Sequence, residues 1–127
     1  MVQDNSRLHR ASRQAWGRAE DGLTLRRAID HLHRAAQTVA YAHSRGILHR
    51  DIKPLNLMVG PFGEVLVLDW GIALVDPRTW TQDLPTLDRE GQVAGTPAFM
   101  APEQARGTLG MQGPWTDTWS LGGVLFH

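Results

Sequence analysis

The chain has 127 residues, enough for one small domain, and its 42% hydrophobic and 20% charged residues are ordinary for a globular protein. Its formal net charge is zero, so no overall field favours nucleic acid or an anionic membrane as a partner. The absence of cysteine excludes disulfides and thiolate metal sites, and no apolar run approaches the ~20 residues of a membrane helix. Residues 1–18 lack the apolar stretch of a signal peptide, so we expect a cytoplasmic protein without a membrane segment or a nucleic-acid partner.

The beginning of the chain divides at residue 25. Residues 1–24 show no clear periodicity, and we predict a polar, partly disordered lead-in, with a basic arm for an acidic partner as the alternative. A helix is predicted next, which Asp21 or Thr24 can cap and Gly46 can end. Its apolar face is predicted from positions that recur at spacings of three and four: Leu25, Ala28, Ile29, Leu32, Ala36, Val39, Ala40 and His43.

Short apolar runs follow the predicted helix. Ile47-Leu48 is the first, Leu57-Met58-Val59 the second and residues 65–68 the third. The residues between the last two runs, Gly60-Pro61-Phe62-Gly63, are typical of a turn. The second and third runs therefore predict a β-hairpin.

Periodicity is lost over residues 73–92, which predicts an exposed loop that is long for a compact domain. Pro102 to Ala105 predict a single helical turn. Thr116 or Asp117 then opens a mostly apolar helix that continues through Phe126.

Four short motifs lie in order along these elements. The first is the octet H-R-D-I-K-P-L-N at residues 49–56, and the second is D-W-G at residues 69–71. The third is A-P-E at residues 101–103, preceded by G-T-P at residues 95–97, and the fourth is T-D-T-W-S-L-G at residues 116–122. Each motif alone is weak evidence, but their order, with a hairpin between the first two, leaves little room for chance.

These motifs resemble the eukaryotic-like protein serine/threonine kinases, and residues 43–73, with D-W-G in place of D-F-G, are most similar to bacterial members. The resemblance covers residues 25–127 and implies an α+β, protein-kinase-like fold. We expect a partial, mainly helical C-lobe with a small β-hairpin by the catalytic loop. The N-lobe is expected to be absent, because the chain has no G-x-G-x-x-G motif and Lys53 is its only lysine.

The resemblance implies ATP-dependent, Mg²⁺-assisted phosphorylation of serine or threonine hydroxyls on protein substrates. Phosphoryl transfer depends mainly on positioning and charge neutralisation. By this resemblance Asp51 is the catalytic base, and Lys53 is the catalytic cation beside the transferred phosphate. Asn56 and Asp69 are the expected Mg²⁺ ligands. Met58 is expected to form the floor under the adenine ring.

Other motif residues have structural roles by the same resemblance. His49 is expected to pack with Trp70 stacked beside it, rather than to act as a base. Gly71 is expected to free the backbone just after the metal-binding aspartate. Asp117 is expected to accept backbone N–H bonds from the catalytic loop. Glu103 is expected to lack a partner, because the arginine that pairs with it in the family would lie beyond residue 127.

A regulatory switch is implied by Arg50, which resembles the arginine that binds an activation-loop phosphate in kinases switched on by phosphorylation. Lys53 together with Thr96 is typical of the serine/threonine class. Many relatives carry a phosphothreonine four residues before that threonine, where this chain has Gln92. We predict Thr86 as the substitute.

Three hypotheses about function follow from these motifs. The chain is part of an active kinase, or a catalytically inactive kinase-like scaffold or protein-binding module, or a module whose nucleotide site a second chain completes. The presence of Asp51, Asn56 and Asp69 argues against long decay. Activity and binding assays separate the three hypotheses.

Overall fold

The computed structural model describes residues 25–76, 79 and 88–127. The predictions made for the lead-in at residues 1–24 and for Thr86 lie outside these residues. The helices and strands are α1 (Leu25–Ser44), β1 (Ile47–Leu48), β2 (Leu57–Val59), β3 (Val65–Val67), β4 (Leu74–Val75), α2 (Pro102–Ala105) and α3 (Pro114–Phe126). Short 3₁₀ turns lie at Pro54–Asn56, Pro97–Phe99 and Leu109–Met111. None of these helices has both the length and the apolar character needed to cross a bilayer.

Helix α1 is present as predicted, but its buried face is rotated relative to the predicted stripe. Its buried residues are His31, Ala35, Val39 and Ala42, whereas Leu25 and Ile29 at its start are exposed. Three of the four buried side chains are small or branched, and they let α1 approach β3 and α3 closely. Just after the helix, the chain reverses at a glycine with φ of 72°.

Strands β2 and β3 form the predicted hairpin, with Leu57 opposite Val67 and Val59 opposite Val65. Strand β1 pairs antiparallel with β4, which places Leu48 opposite Leu74. The loop prediction was therefore wrong at its start, because residues 74–75 form a strand. A two-residue strand is too short to show an alternating pattern, and its partner lies before the hairpin.

The start of α3 also differs from the prediction, since the helix begins at Pro114 rather than at Thr116 or Asp117. Proline suits the first helical position because the missing N–H would have no partner there. The Thr116 hydroxyl instead lies in the first turn, where its Oγ1 accepts a hydrogen bond from the Gly113 N–H at 3.1 Å.

The buried core joins α1, the hairpin and α3 around one residue of the H-R-D octet. Its buried members are Ala35, Val39, Ile52, Leu57, Val67 and Val124. Ile52 is fully buried, whereas its neighbours Asp51 and Lys53 are only partly buried. Burying one such side chain stabilises the fold by ~1.5–3 kcal/mol. Ile52 therefore anchors the loop in the core and leaves the flanking charged side chains near the surface.

Candidate active site

The conformation of the loop at residues 49–56 depends on one buried carboxylate of α3. Asp117 is fully buried, and it accepts hydrogen bonds from the backbone N–H groups of His49 and Arg50, each at 2.8 Å. The His43 Nε2 of α1 lies 2.7 Å from the same carboxylate. Arg50 has φ of 67°, a left-handed conformation that is costly for a residue with a side chain. The bonds to Asp117 stabilise that conformation.

His49 has both ring nitrogens bonded within the loop region. Its Nδ1 accepts a hydrogen bond from the Asp51 N–H at 3.1 Å, and a backbone N–H can only donate, so the ring proton lies on Nε2. That Nε2 donates to the Leu68 carbonyl at 2.9 Å. The Trp70 ring meets His49 edge to face, with centroids 4.5 Å apart and planes at 62°, rather than stacked as the resemblance implies. With its ring bonded in this way, His49 is not placed to accept a substrate proton.

Asp51, Lys53 and Thr96 form a hydrogen-bonded cluster. The Thr96 hydroxyl donates to Asp51 Oδ1 at 2.6 Å, and Lys53 Nζ donates to that hydroxyl at 2.7 Å. Lys53 Nζ also lies 3.3 Å from Asp51 Oδ2. The side chains of Asp51 and Lys53 are 13% and 20% exposed, so a molecule in solution can reach both of them. The motifs predicted Asp51 and Lys53, but they gave Thr96 only as a mark of class.

Asn56 is tied to the same cluster through its amide nitrogen. Its Nδ2 donates to the Asp51 carbonyl at 2.8 Å and lies 3.3 Å from Asp51 Oδ2. These contacts leave the amide oxygen as the atom that could bind a cation. The Leu68 N–H donates to the Asn56 carbonyl at 2.8 Å, which holds the end of the hairpin, and hence Asp69, beside the loop.

Asp69 is exposed and has φ of 57°, and its Oδ1 accepts a hydrogen bond from the Gly71 N–H at 3.3 Å. Gly71 itself does not use the positive φ that glycine allows; a Cβ there would lie 3.1 Å from Asp69 Oδ1, a close contact with that side chain. In the part of the chain that the structure describes, no three His, Cys, Asp or Glu side chains group to hold a metal. One carboxylate and one amide oxygen nevertheless fit Mg²⁺, which takes few protein ligands beside phosphates and water.

Met58 lies on the exposed face of the hairpin. The residue is 50% exposed and lies opposite Leu66 in the β2–β3 register. A flexible apolar side chain on an open surface is able to support a flat ring. The structure thus leaves Met58 accessible, and its contact with adenine stays a prediction.

Arg50 bonds to a carboxylate that the motifs did not indicate. Its side chain is 3% exposed, and Nη2 donates to both oxygens of Asp88 at 2.9 Å. Its Nε donates to the Ile72 carbonyl at 2.8 Å. The resemblance implies a phosphate on this arginine, whereas in the described residues an aspartate from the predicted loop bonds to it.

Glu103 was expected to lack the arginine that pairs with it in the family, but it has another hydrogen-bond partner. Its Oε1 accepts a hydrogen bond from the Thr116 hydroxyl at 2.7 Å. The bond joins the A-P-E segment to the first turn of α3, and Thr116 is available because the helix begins two residues earlier than predicted. Nothing in the local sequence signals this contact.

A sequence profile of the protein kinase domain matches residues 3–127. The chain belongs to the protein kinase family. Families of this kind generally use ATP and Mg²⁺ and act on proteins. The membership confirms the predicted α+β, kinase-like fold with its small hairpin. The matched region begins before the domain boundary placed at residue 25, which stays a prediction.

Relatives support the bacterial serine/threonine subdivision of that kinase family. The chain is 42% identical to serine/threonine-protein kinase PknD of Chlamydia caviae over 106 residues, which is 75% of this chain and 11% of that kinase. PknD of Protochlamydia amoebophila is 43% identical over 72% of this chain and 10% of its own length. PknA of Mycobacterium tuberculosis is 41% identical over 83% of this chain and 22% of its own length. The chain therefore spans about a tenth of the PknD kinases that it matches.

Proposed function

We propose that the protein transfers the γ-phosphoryl group of ATP to serine and threonine hydroxyls of protein substrates. The observation that carries the proposal is the contact of Asp51 with both Lys53 and Thr96. A general base must be held rigidly within hydrogen-bond reach of the proton that it removes. Asp51 is fixed in this way and is still partly exposed, which suits a carboxylate that meets a substrate hydroxyl.

The reaction assigns a separate task to each side chain. Asp51 accepts the proton of the substrate hydroxyl as the oxygen of that hydroxyl forms a bond to the γ-phosphorus. The bond from that phosphorus to the bridging oxygen breaks, and ADP leaves. Lys53 is placed by its hydrogen bond to Thr96, so its cation can stabilise the charge on the transferred group.

Asn56 and Asp69 would hold Mg²⁺, and Met58 would contact the adenine ring. When bound, the metal neutralises charge on the phosphates during the transfer. The chain's own contribution is to orient these two metal-ligating side chains. The Asn56 amide is oriented by its bonds to Asp51, and Asp69 is positioned by the hairpin and by its bond from the Gly71 N–H. We also propose a cytoplasmic location, where ATP is available.

The test compares the native protein, expressed at full length, with Asp51→Asn. Labelled ATP, Mg²⁺ and dephosphorylated casein provide the assay, and Asp30→Asn on the exposed face of α1 is the matched control. Because a general base contributes ~10²–10⁴-fold, we expect Asp51→Asn to lower kcat by about that factor and to leave ATP binding intact.

Three other outcomes would count against the proposal. Comparable turnover in Asp51→Asn would remove Asp51 from the role of base. Phosphotyrosine in the hydrolysed product would contradict the serine/threonine class. A wild-type protein that folds and binds other proteins without any transfer would favour the inactive scaffold instead.

A further inference from the structure

Gln104, the third residue of α2, joins the two segments that meet at Asp51. Its side chain is buried, with 1% of the residue exposed. The Nε2 group donates one hydrogen bond to the Ala94 carbonyl at 2.8 Å and another to the Arg50 carbonyl. Arg50 immediately precedes Asp51, and Ala94 lies two residues before Thr96. One amide therefore connects the loop of the proposed base to the segment whose hydroxyl bonds to that base.

The orientation of the Gln104 amide follows from its partners. Both partners are backbone carbonyls, which only accept hydrogen bonds, so the nitrogen must face them. Within the described residues, the Gln104 Oε1 is buried and has no hydrogen-bond partner. A buried acceptor without a donor lowers stability. The Gln104 amide thus forms two hydrogen bonds through its nitrogen, while its buried oxygen has no partner among the described residues.

The backbone around this amide is constrained on both sides. Arg50 has φ of 67°, and Gly95, between Ala94 and Thr96, has φ of 128°. A Cβ on Gly95 would lie 2.5 Å from Gln104 Nε2 and 3.0 Å from the Arg50 carbonyl oxygen. Glycine is therefore required at residue 95 because Gln104 and the loop approach it so closely. The peptide group that Gln104 holds is the one that leads into Asp51.

We propose that Gln104 is a positioning residue for phosphoryl transfer, an inference that rests on the proposed function. Its two hydrogen bonds fix the separation of the catalytic loop from the segment of Thr96. That separation sets the contact of Asp51 Oδ1 with Thr96. It also sets the contacts of Lys53 with Asp51 and with Thr96. Gln104 touches none of the reacting side chains in these contacts, so it acts through the backbone carbonyls of Arg50 and Ala94.

The test uses Gln104→Met, which keeps the length of the side chain and removes both donors, and Gln104→Glu, which keeps its shape. Gln37→Glu, on the exposed face of α1, repeats the charge change as a control. All are made in the native protein expressed at full length. Since a displacement of ~1 Å costs on the order of 10²-fold, both Gln104 variants should lose about that factor in kcat, with KM for ATP within about 2-fold.

The outcomes separate positioning from packing and from the proposed function. If Gln104→Met folds and keeps kcat within about 3-fold of the wild type, the positioning role is overturned. If the wild type transfers no phosphate, the proposed function fails, and the positioning role with it. If the variants do not fold, NMR of the wild type decides. The Gln104 carboxamide protons should exchange with solvent at least ~10-fold more slowly than those of Gln37, and equal rates would overturn the proposal.

Discussion

Replacing Asp88 by asparagine tests how the structure neutralises the buried arginine of the catalytic loop. The change keeps the size of the side chain and removes the negative charge that faces Arg50. Arg50 is 3% exposed at its side chain, so its guanidinium cannot turn to bulk water. In this variant we expect the segment that begins at Asp88 to separate more often from Arg50 and the loop at residues 49–56.

The magnitude follows from the burial of the two partners. Removing one partner of a fully buried pair costs ~3–5 kcal/mol, whereas an exposed pair contributes ~0–1 kcal/mol. The Asp88 side chain is 20% exposed, which places this pair between the two limits. Arg50 also keeps its bond to the Ile72 carbonyl, and an asparagine oxygen can still accept one bond. We therefore expect Asp88→Asn to lower the free energy that holds the Asp88 segment on Arg50 by about 1.5–3 kcal/mol.

Limited trypsin digestion of the native protein measures this loss, because Arg89 is exposed and adjacent to the substituted residue. If cleavage follows the open population of the segment, a loss of ~1.5–3 kcal/mol should speed cleavage at Arg89 by ~10–100-fold. Cleavage at Arg26 on α1 is the internal control, and Asp30→Asn is the matched variant. Equal cleavage rates at Arg89 in the wild type and in Asp88→Asn would refute the reasoning.

Three further predictions concern the metal, the switch and the core. Asp69→Ala should weaken Mg·ATP binding at least ~10-fold in calorimetry, and unchanged affinity would refute its assignment as a ligand. Phosphatase treatment of the native protein should change the transfer rate by less than ~2-fold, because Asp88 already neutralises Arg50; a larger fall would favour Thr86 as the source of the anion. Ile52→Ala should lower the free energy of unfolding by ~2–5 kcal/mol in urea titrations, and a loss below ~1 kcal/mol would show that Ile52 does not anchor the loop.

Local patterns predicted the parts of the fold whose signals are local. The apolar spacing of α1 and the turn residues 60–63 identified the helix and the hairpin. Strand β4 was missed because two residues show no period, and they become a strand only by pairing with β1. The start of α3 was placed too late, because Pro114 reads as a loop residue although it suits the first helical turn.

The candidate site likewise has a part that local motifs predicted and a part that depends on contacts between distant segments. Asp51, Lys53, Asn56 and Asp69 were predicted from short motifs along the chain, and their roles stay predictions. The contacts of Asp88 with Arg50 and of Gln104 with two carbonyls join segments far apart in sequence. A single sequence carries no signal for such contacts, since one acidic or amide residue looks like any other in the sequence until the chain folds.

Asp117 has a consequence for the order of events during protein synthesis. It lies 74, 68 and 67 residues after the three donors that it binds. At ~5–20 residues per second, the ribosome releases the catalytic loop several seconds before α3. During that interval Asp117 cannot yet accept the backbone N–H bonds of His49 and Arg50, so the left-handed conformation at Arg50 lacks this support. The loop at residues 49–56 therefore completes its bonds to Asp117 only after α3 has been synthesised.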